Sequence, residues 1–219
     1  MKNLLAFKNE NKYNSLFFSI VLLILAPPFL YKLPILSYLI FVFVSLVIIN
    51  CLLIIYGKPK NSRIALITGV LVLGFAWLNF LVKSDFFVLD LITNGLLVVI
   101  FAVTFRSILL EIFKLKKVSA HVVVGAISAY LLLGLMGAFL FDVIEILYPG
   151  SFSASKLYTG FYAEIYFSFV TLSTLGYGDI SPITPQGQAT AIFVSISGQL
   201  YLAILMAMLV GKFLKDSDW

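Results

Sequence analysis

Six long apolar stretches, separated by short clusters of lysine and arginine, leave this chain few ways to fold. They run from Ser15 to Tyr31, Pro34 to Tyr56, Ile64 to Val82, Phe86 to Leu110, His121 to Leu147 and Pro185 to Leu214. Each approaches or exceeds the roughly 20 residues that carry a helix across a bilayer, and the last is long enough to cross tilted and protrude. Hydrophobic residues make up 62% of the chain and charged residues only 11%, against about 25% charged in a soluble domain. Lipid is therefore the solvent, and the expected class is an all-α membrane protein with six transmembrane helices. The first block has no small-x-small cleavage pattern in "LILAPPFLYK" and is read as a span, not a signal peptide.

The charges between the blocks set an orientation. Lys2, Lys8 and Lys12 precede the first block, and Lys58, Lys60 and Arg63 lie between the second and third. Arg106, Lys114, Lys116 and Lys117 close the fourth, and Lys212 and Lys215 end the sixth. The alternate loops hold only Lys32, Lys83 and Lys156. Excess positive charge marks the cytoplasmic side, so both termini are expected in the cytoplasm of a protein of the cell membrane. The net charge of +5 belongs to this pattern, with no aromatic-interleaved basic patch that would point to nucleic acid. Cys51 is the single cysteine, so no disulfide forms within the chain.

One apolar segment, Phe161 to Leu172, is too short to cross, and it runs into "TLGYGD" at residues 174–179. Non-helical backbone at membrane depth is tolerated where protein buries it or where it lines water. Gly176 and Gly178 reach backbone angles closed to other residues. Alternation through such angles turns successive carbonyl oxygens the same way, and a row of carbonyls replaces the water shell of a monovalent cation. A glycine-rich tight turn between two helices is the alternative reading.

The stretch "STLGYGD" resembles the selectivity filter of tetrameric potassium channels, usually T-V-G-Y-G-D. The likeness covers His121 to Trp219, and the flanking "YFSFVTLS" and "GQLYLAILMAMLVG" are similar to bacterial members. It implies an outer helix, a re-entrant pore helix, the filter and an inner helix. K+ would be the permeant ligand, with no other cofactor. It would be coordinated by backbone carbonyls across Thr174, Leu175, Gly176, Tyr177 and Gly178, with the Thr174 hydroxyl completing the innermost site. Asp179 would sit behind the filter on the outer side. One pore segment per chain, with no internal repeat, requires a closed ring of copies, and the resemblance implies a homotetramer.

Three positions depart from the family pattern. Leu175 replaces the common valine. Val170 stands where some members place a glutamate that pairs with the filter aspartate. Tyr166 stands where tryptophan is common; its hydroxyl would hold Asp179, or the residue is an interfacial aromatic.

The inner helix has its start signal in Thr184, as N-cap, followed by Pro185. By resemblance Gly198 would be a gating hinge, and Leu202, Met206 and Val210 would line an apolar inner cavity. The alternative for Gly198 is close packing, which Ala203, Ala207 and Gly211 at spacing four also suit. Alanine at position 198 is expected to fit the helix without steric penalty.

The first four blocks resemble, in number and position, the voltage-sensor domain of six-span channels. The implied division is a cytoplasmic N-terminus 1–14, a four-helix front domain 15–110, an interfacial linker 111–120, a two-helix pore domain 121–214 and a cytoplasmic C-terminus 215–219. The chemistry departs sharply, because the fourth block carries only Arg106 where a sensing helix repeats arginines. Asp90 and Asn94, one turn apart, are candidates for an intramembrane polar site. The favoured alternative is a pairing with Asn50 or Asn79 that pins helices together. "SILLEIFKLKKV" is expected to leave the membrane as a basic helix on its inner surface. His121, the lone histidine, reads as an ordinary interfacial residue. The expectation is passive K+ conduction with weak or no voltage dependence; a non-selective cation channel or a non-conducting accessory or receptor protein are the alternatives. An enzyme has no support.

Overall fold

A computed structural model describes residues 2–30, 36–56, 62–82, 87–114, 119–153 and 161–216. Seven α-helices follow one another: α1 Lys2–Leu30, α2 Leu36–Tyr56, α3 Ser62–Val82, α4 Phe87–Lys114, α5 Ala120–Leu147, α6 Phe161–Leu172 and α7 Pro185–Asp216. Among the described residues, α1, α2, α4, α5 and α7 contain stretches long and apolar enough to cross a membrane. Within α3 the corresponding apolar stretch is Ile67–Leu78, and α6 is the short one. An all-helical membrane protein follows, since a helix satisfies its own backbone hydrogen bonds where no water is present.

Helix α5 is the hub. It packs against α1, α4, α6 and α7, most extensively against α4, while α2 packs against α1, α3 and α4, and α3 against α2 and α4. Its small residues permit the close approach to α6. A Cβ at Gly134 would overlap the Phe169 ring, and one at Gly137 would overlap Ser168 Oγ. In the space they leave, Ser168 Oγ donates to the Gly134 carbonyl at 2.6 Å. The core runs through both halves of the chain, with Leu16, Ile48, Phe101 and Leu132 fully buried in one cluster.

Two boundaries differ from the sequence expectation. Helix α1 begins well before its span. Helix α4 continues to Lys114, and Ile108 and Ile112 on its last two turns are 0% and 1% exposed. The stretch from Ser107 to Lys114 is thus the C-terminal end of α4, held there by burial of its apolar side, and not a separate surface helix. Residues 115–118 of the expected linker lie outside the described residues.

This C-terminal end of α4 is tied to both α1 and α7. Lys12 on α1 pairs with Glu111 at 2.7 Å. Lys212 on α7 donates to the Ile112 carbonyl at 2.6 Å and the Phe113 carbonyl at 3.3 Å. A lysine at the C-terminal end of a helix meets orphan carbonyls and the negative end of the helix dipole.

Candidate functional site

Helix α6 ends at Leu172, and the chain turns there without leaving it. The Val170 carbonyl accepts the N–H of Leu175 at 3.0 Å and of Gly176 at 3.4 Å. Thr174 N–H reaches the Thr171 carbonyl at 3.0 Å. Val170 is therefore engaged through its backbone oxygen while its side chain is buried, a contribution no side-chain pattern announces.

Beyond this anchor the backbone alternates. Thr174, Gly176 and Gly178 have φ of 58°, 59° and 80°, whereas Leu175 and Tyr177 between them do not enter the left-handed region. The glycines reach these angles freely. Thr174 does not: a β-branched residue at positive φ is a backbone outlier, costing on the order of 1–3 kcal/mol. The sequence pointed to the two glycines and gave no sign of the third left-handed position.

The whole of residues 173–179 is exposed in the single chain. Leu175 and Tyr177 are 55% and 66% exposed, although both are large and apolar-bodied. Helix α7 shares this bareness, with Ile192, Phe193, Ile196, Leu200, Ile204 and Met206 exposed.

Each end of the segment is held. Tyr166 OH on α6 donates to Asp179 Oδ2 at 2.6 Å, and Asp179 Oδ1 accepts the Ile180 N–H at 3.1 Å. Farther on, Ser151, fully buried, accepts the Ile183 N–H on its carbonyl at 2.7 Å. Thr184 Oγ1 donates to Ser151 Oγ at 2.9 Å. Glu145, on the last turn of α5, accepts the N–H groups of Gly150 at 2.7 Å and Ser151 at 3.0 Å. Glu145 and Ser151 escaped the sequence reading; the available signal was a carboxylate at the end of an apolar span followed by Pro149-Gly150. Thr184 Oγ1 also accepts the Gly187 N–H at 3.2 Å, capping α7.

Gly198 lies against the end of α6. A Cβ there would overlap the Leu172 carbonyl oxygen and press on the Leu172 side chain. This corrects the expectation that alanine fits without penalty: the helix itself would accept it, but a neighbouring backbone oxygen occupies the space. Gly198 is thus closely packed against α6, and α7 runs through it as one helix. Leu202 and Met206 are exposed; the side chain of Val210 lies outside the described residues.

Asn94 is 9% exposed and donates to Asp142 Oδ2 on α5 at 2.6 Å. This bond runs to α5, not to Asn50. Asn50 instead accepts from Ser15 Oγ at 2.6 Å and donates to Ser19 Oγ at 3.3 Å, joining α2 to α1. The side chain of Asn79 lies outside the described residues. Asp90, Asn94 and Asp142 line a cavity of about 370 Å³ that also touches Phe41, Phe139 and Phe161. Arg106 is exposed farther along α4 and takes no part in it.

Comparison with known proteins gives the geometry a context. Residues 126–215 match a family model described as "Ion channel". A Bacillus subtilis protein, YugO, which carries a potassium-channel name, is 38% identical over 68 residues, 31% of this chain and 19% of its own. A voltage-gated potassium channel of Aeropyrum pernix is 33% identical over 88 residues, 40% of this chain and 28% of its own. The human A-type voltage-gated potassium channel KCND3 is 31% identical over 84 residues, 38% of this chain and 13% of its own. The chain thus spans less than a third of the length of each. No solved structure matches.

Proposed function

We propose that this chain, whose residues 126–215 match an ion-channel family model and which is similar there to potassium channels, forms a homotetrameric potassium-selective pore in the cell membrane. The observation that carries the reading is the alternation of positive φ at Thr174, Gly176 and Gly178. Every second residue left-handed is the backbone that aims successive carbonyls to one side, where they replace the hydration shell of K+. The carbonyls from Thr174 to Gly178 are the ion ligands in this reading, and K+ is substrate, with no resident cofactor.

The exposure of Leu175 and Tyr177 supports assembly. Side chains that must lie behind a carbonyl-lined path need a covering, and further copies of the chain supply it around a closed axis. The exposed side of α7 serves the same ring, with Leu202 and Met206 turned to an inner cavity. Residues 121–214 act as the pore unit and 15–110 as a structural collar around it. Arg106 is the one arginine on α4, with Lys114 on its last turn, and this makes that collar a poor electrometer. Both termini face the cytoplasm by the placement of the lysines.

Purified protein in liposomes, with potassium and sodium flux followed separately, tests the reading. Potassium flux well above sodium flux is the expected result. Equal passage of both ions by intact tetramers would make the chain a non-selective cation pore instead. Absence of flux from tetramers would leave it an accessory protein.

A further inference from the structure

Where α7 passes closest to the end of α6, the residue after Gly198 also reaches the candidate filter. Gln199 Nε2 donates to Thr174 Oγ1 at 3.4 Å, a long contact. The same hydroxyl donates its own proton to the Ser173 carbonyl at 2.7 Å. A hydroxyl has one proton and two lone pairs. With the proton directed to Ser173 and one lone pair turned to Gln199, a single lone pair remains. That is the group available to an ion at the inner end of the row. The threonine side chain has more than one accessible rotamer, so something outside the threonine must choose between them.

We propose that Gln199 is a positioning residue for the innermost ion site. Its amide fixes the Thr174 hydroxyl with its proton away from the ion path and one lone pair toward it. It ties that choice to the seating of α7 against α6 at Gly198. The proposal rests on the potassium-channel reading above and adds to it a residue outside the filter that sets how well the inner site tells one monovalent cation from another. Gln199 is exposed in the single chain, as is Thr174, so the contact lies at the edge of the candidate ion path and not in the packed core. A shift of α7 along or about its axis would reach the filter through this contact before it disturbed the buried anchor at Val170.

A double-mutant cycle read by permeability tests it. Gln199→Met keeps length and helix propensity and removes the donor. Gln199→Asn keeps the amide and withdraws it by one methylene, and it serves as the second variant if methionine disturbs assembly. Each is made alone and together with Thr174→Val, which keeps the shape of the threonine without its hydroxyl. Reconstituted tetramers are compared by sodium-to-potassium and caesium-to-potassium permeability ratios from bi-ionic reversal potentials. Loss of one neutral hydrogen bond changes an equilibrium by on the order of two- to tenfold. Each Gln199 variant should therefore shift the ratios by that much in the native background and leave them unmoved in the Thr174→Val background. Equal shifts in both backgrounds, or none in either, would overturn the proposal. Wild-type tetramers that fail to distinguish potassium from sodium would overturn the channel reading, and this role with it. Wild type that discriminates beside variants that behave identically would overturn only the role of Gln199.

Discussion

Tyr166, on the short helix α6, and Asp179, just past the second glycine, are joined by a 2.6 Å hydrogen bond that closes the glycine-rich segment back onto the helix that leads into it. The bond spans thirteen residues of sequence and is exposed in the single chain, so water competes with it. Its removal bears on how long the outer end of the segment holds its shape more than on whether the chain folds.

Tyr166→Phe deletes the donor and leaves the ring. The expected cost is about 1 kcal/mol in the local stability of the outer filter. Sustained potassium current in bilayers should decay faster than in wild type, with tetramer yield unchanged. Currents of equal persistence would show that the bond is idle.

Thr174→Gly separates two contributions that oppose each other. Glycine relieves a left-handed β-branched residue, worth on the order of 1–2 kcal/mol per position, and deletes the hydroxyl at the inner end. Tetramers should melt at the same temperature or higher while the potassium-to-sodium ratio falls. A protein that loses stability and keeps its selectivity would contradict both halves of this account.

Gly198→Ala forces a methyl into the Leu172 carbonyl. Overpacking of this kind typically costs 1–3 kcal/mol, and here it displaces the helix that carries the filter. Reduced tetramer yield on size-exclusion chromatography is expected. Normal yield with altered open probability would restore the hinge as the explanation of the glycine.

Asn94→Leu leaves Asp142 without the amide that donates to it across α4 and α5. An unsatisfied carboxylate inside the bundle costs about 1–3 kcal/mol. The melting temperature of purified protein should fall, and it should recover in part when Asp142→Asn is added, because the neutral amide needs less. No recovery would mean that the pair does not act as a unit.

Steep voltage sensing is not expected. One elementary charge crossing the membrane contributes about 2.3 kcal/mol per 100 mV, and steep sensors move three or four per subunit. Arg106 is the one arginine of its helix. Patch recordings should give an open probability that changes little over a wide range, the same in Arg106→Gln. A steep dependence flattened by that substitution would overturn the reading of α4.

Much of the architecture is legible in the lengths of the apolar blocks, because a span must satisfy its own backbone and so declares itself as a run of about the right length. Length says nothing about neighbours. Helices apolar on most sides carry no stripe to show which face meets which, and the partner of Asn94 was therefore sought on α2 or α3 when it lies on α5. The short helix and the two glycines are equally plain in the sequence. The left-handed Thr174 is not, since only glycine advertises positive φ. Nor is the Val170 carbonyl, whose service is independent of the side chain attached to it. At Gly198 the sequence offered hinge and packing alike, and the position of the Leu172 oxygen, which shows the close packing, is not written in it.

The bareness of Leu175 and Tyr177 also bears on how such a protein comes into being. If copies of the chain assemble around a pore as proposed, a chain newly inserted into the bilayer has residues 173–179 with no wall behind them, and it acquires one on meeting its copies. Pore formation then rises faster than linearly with the density of chains in the membrane plane. Halving the supply of chains would more than halve the number of pores, and the unassembled remainder is the form most open to proteolysis.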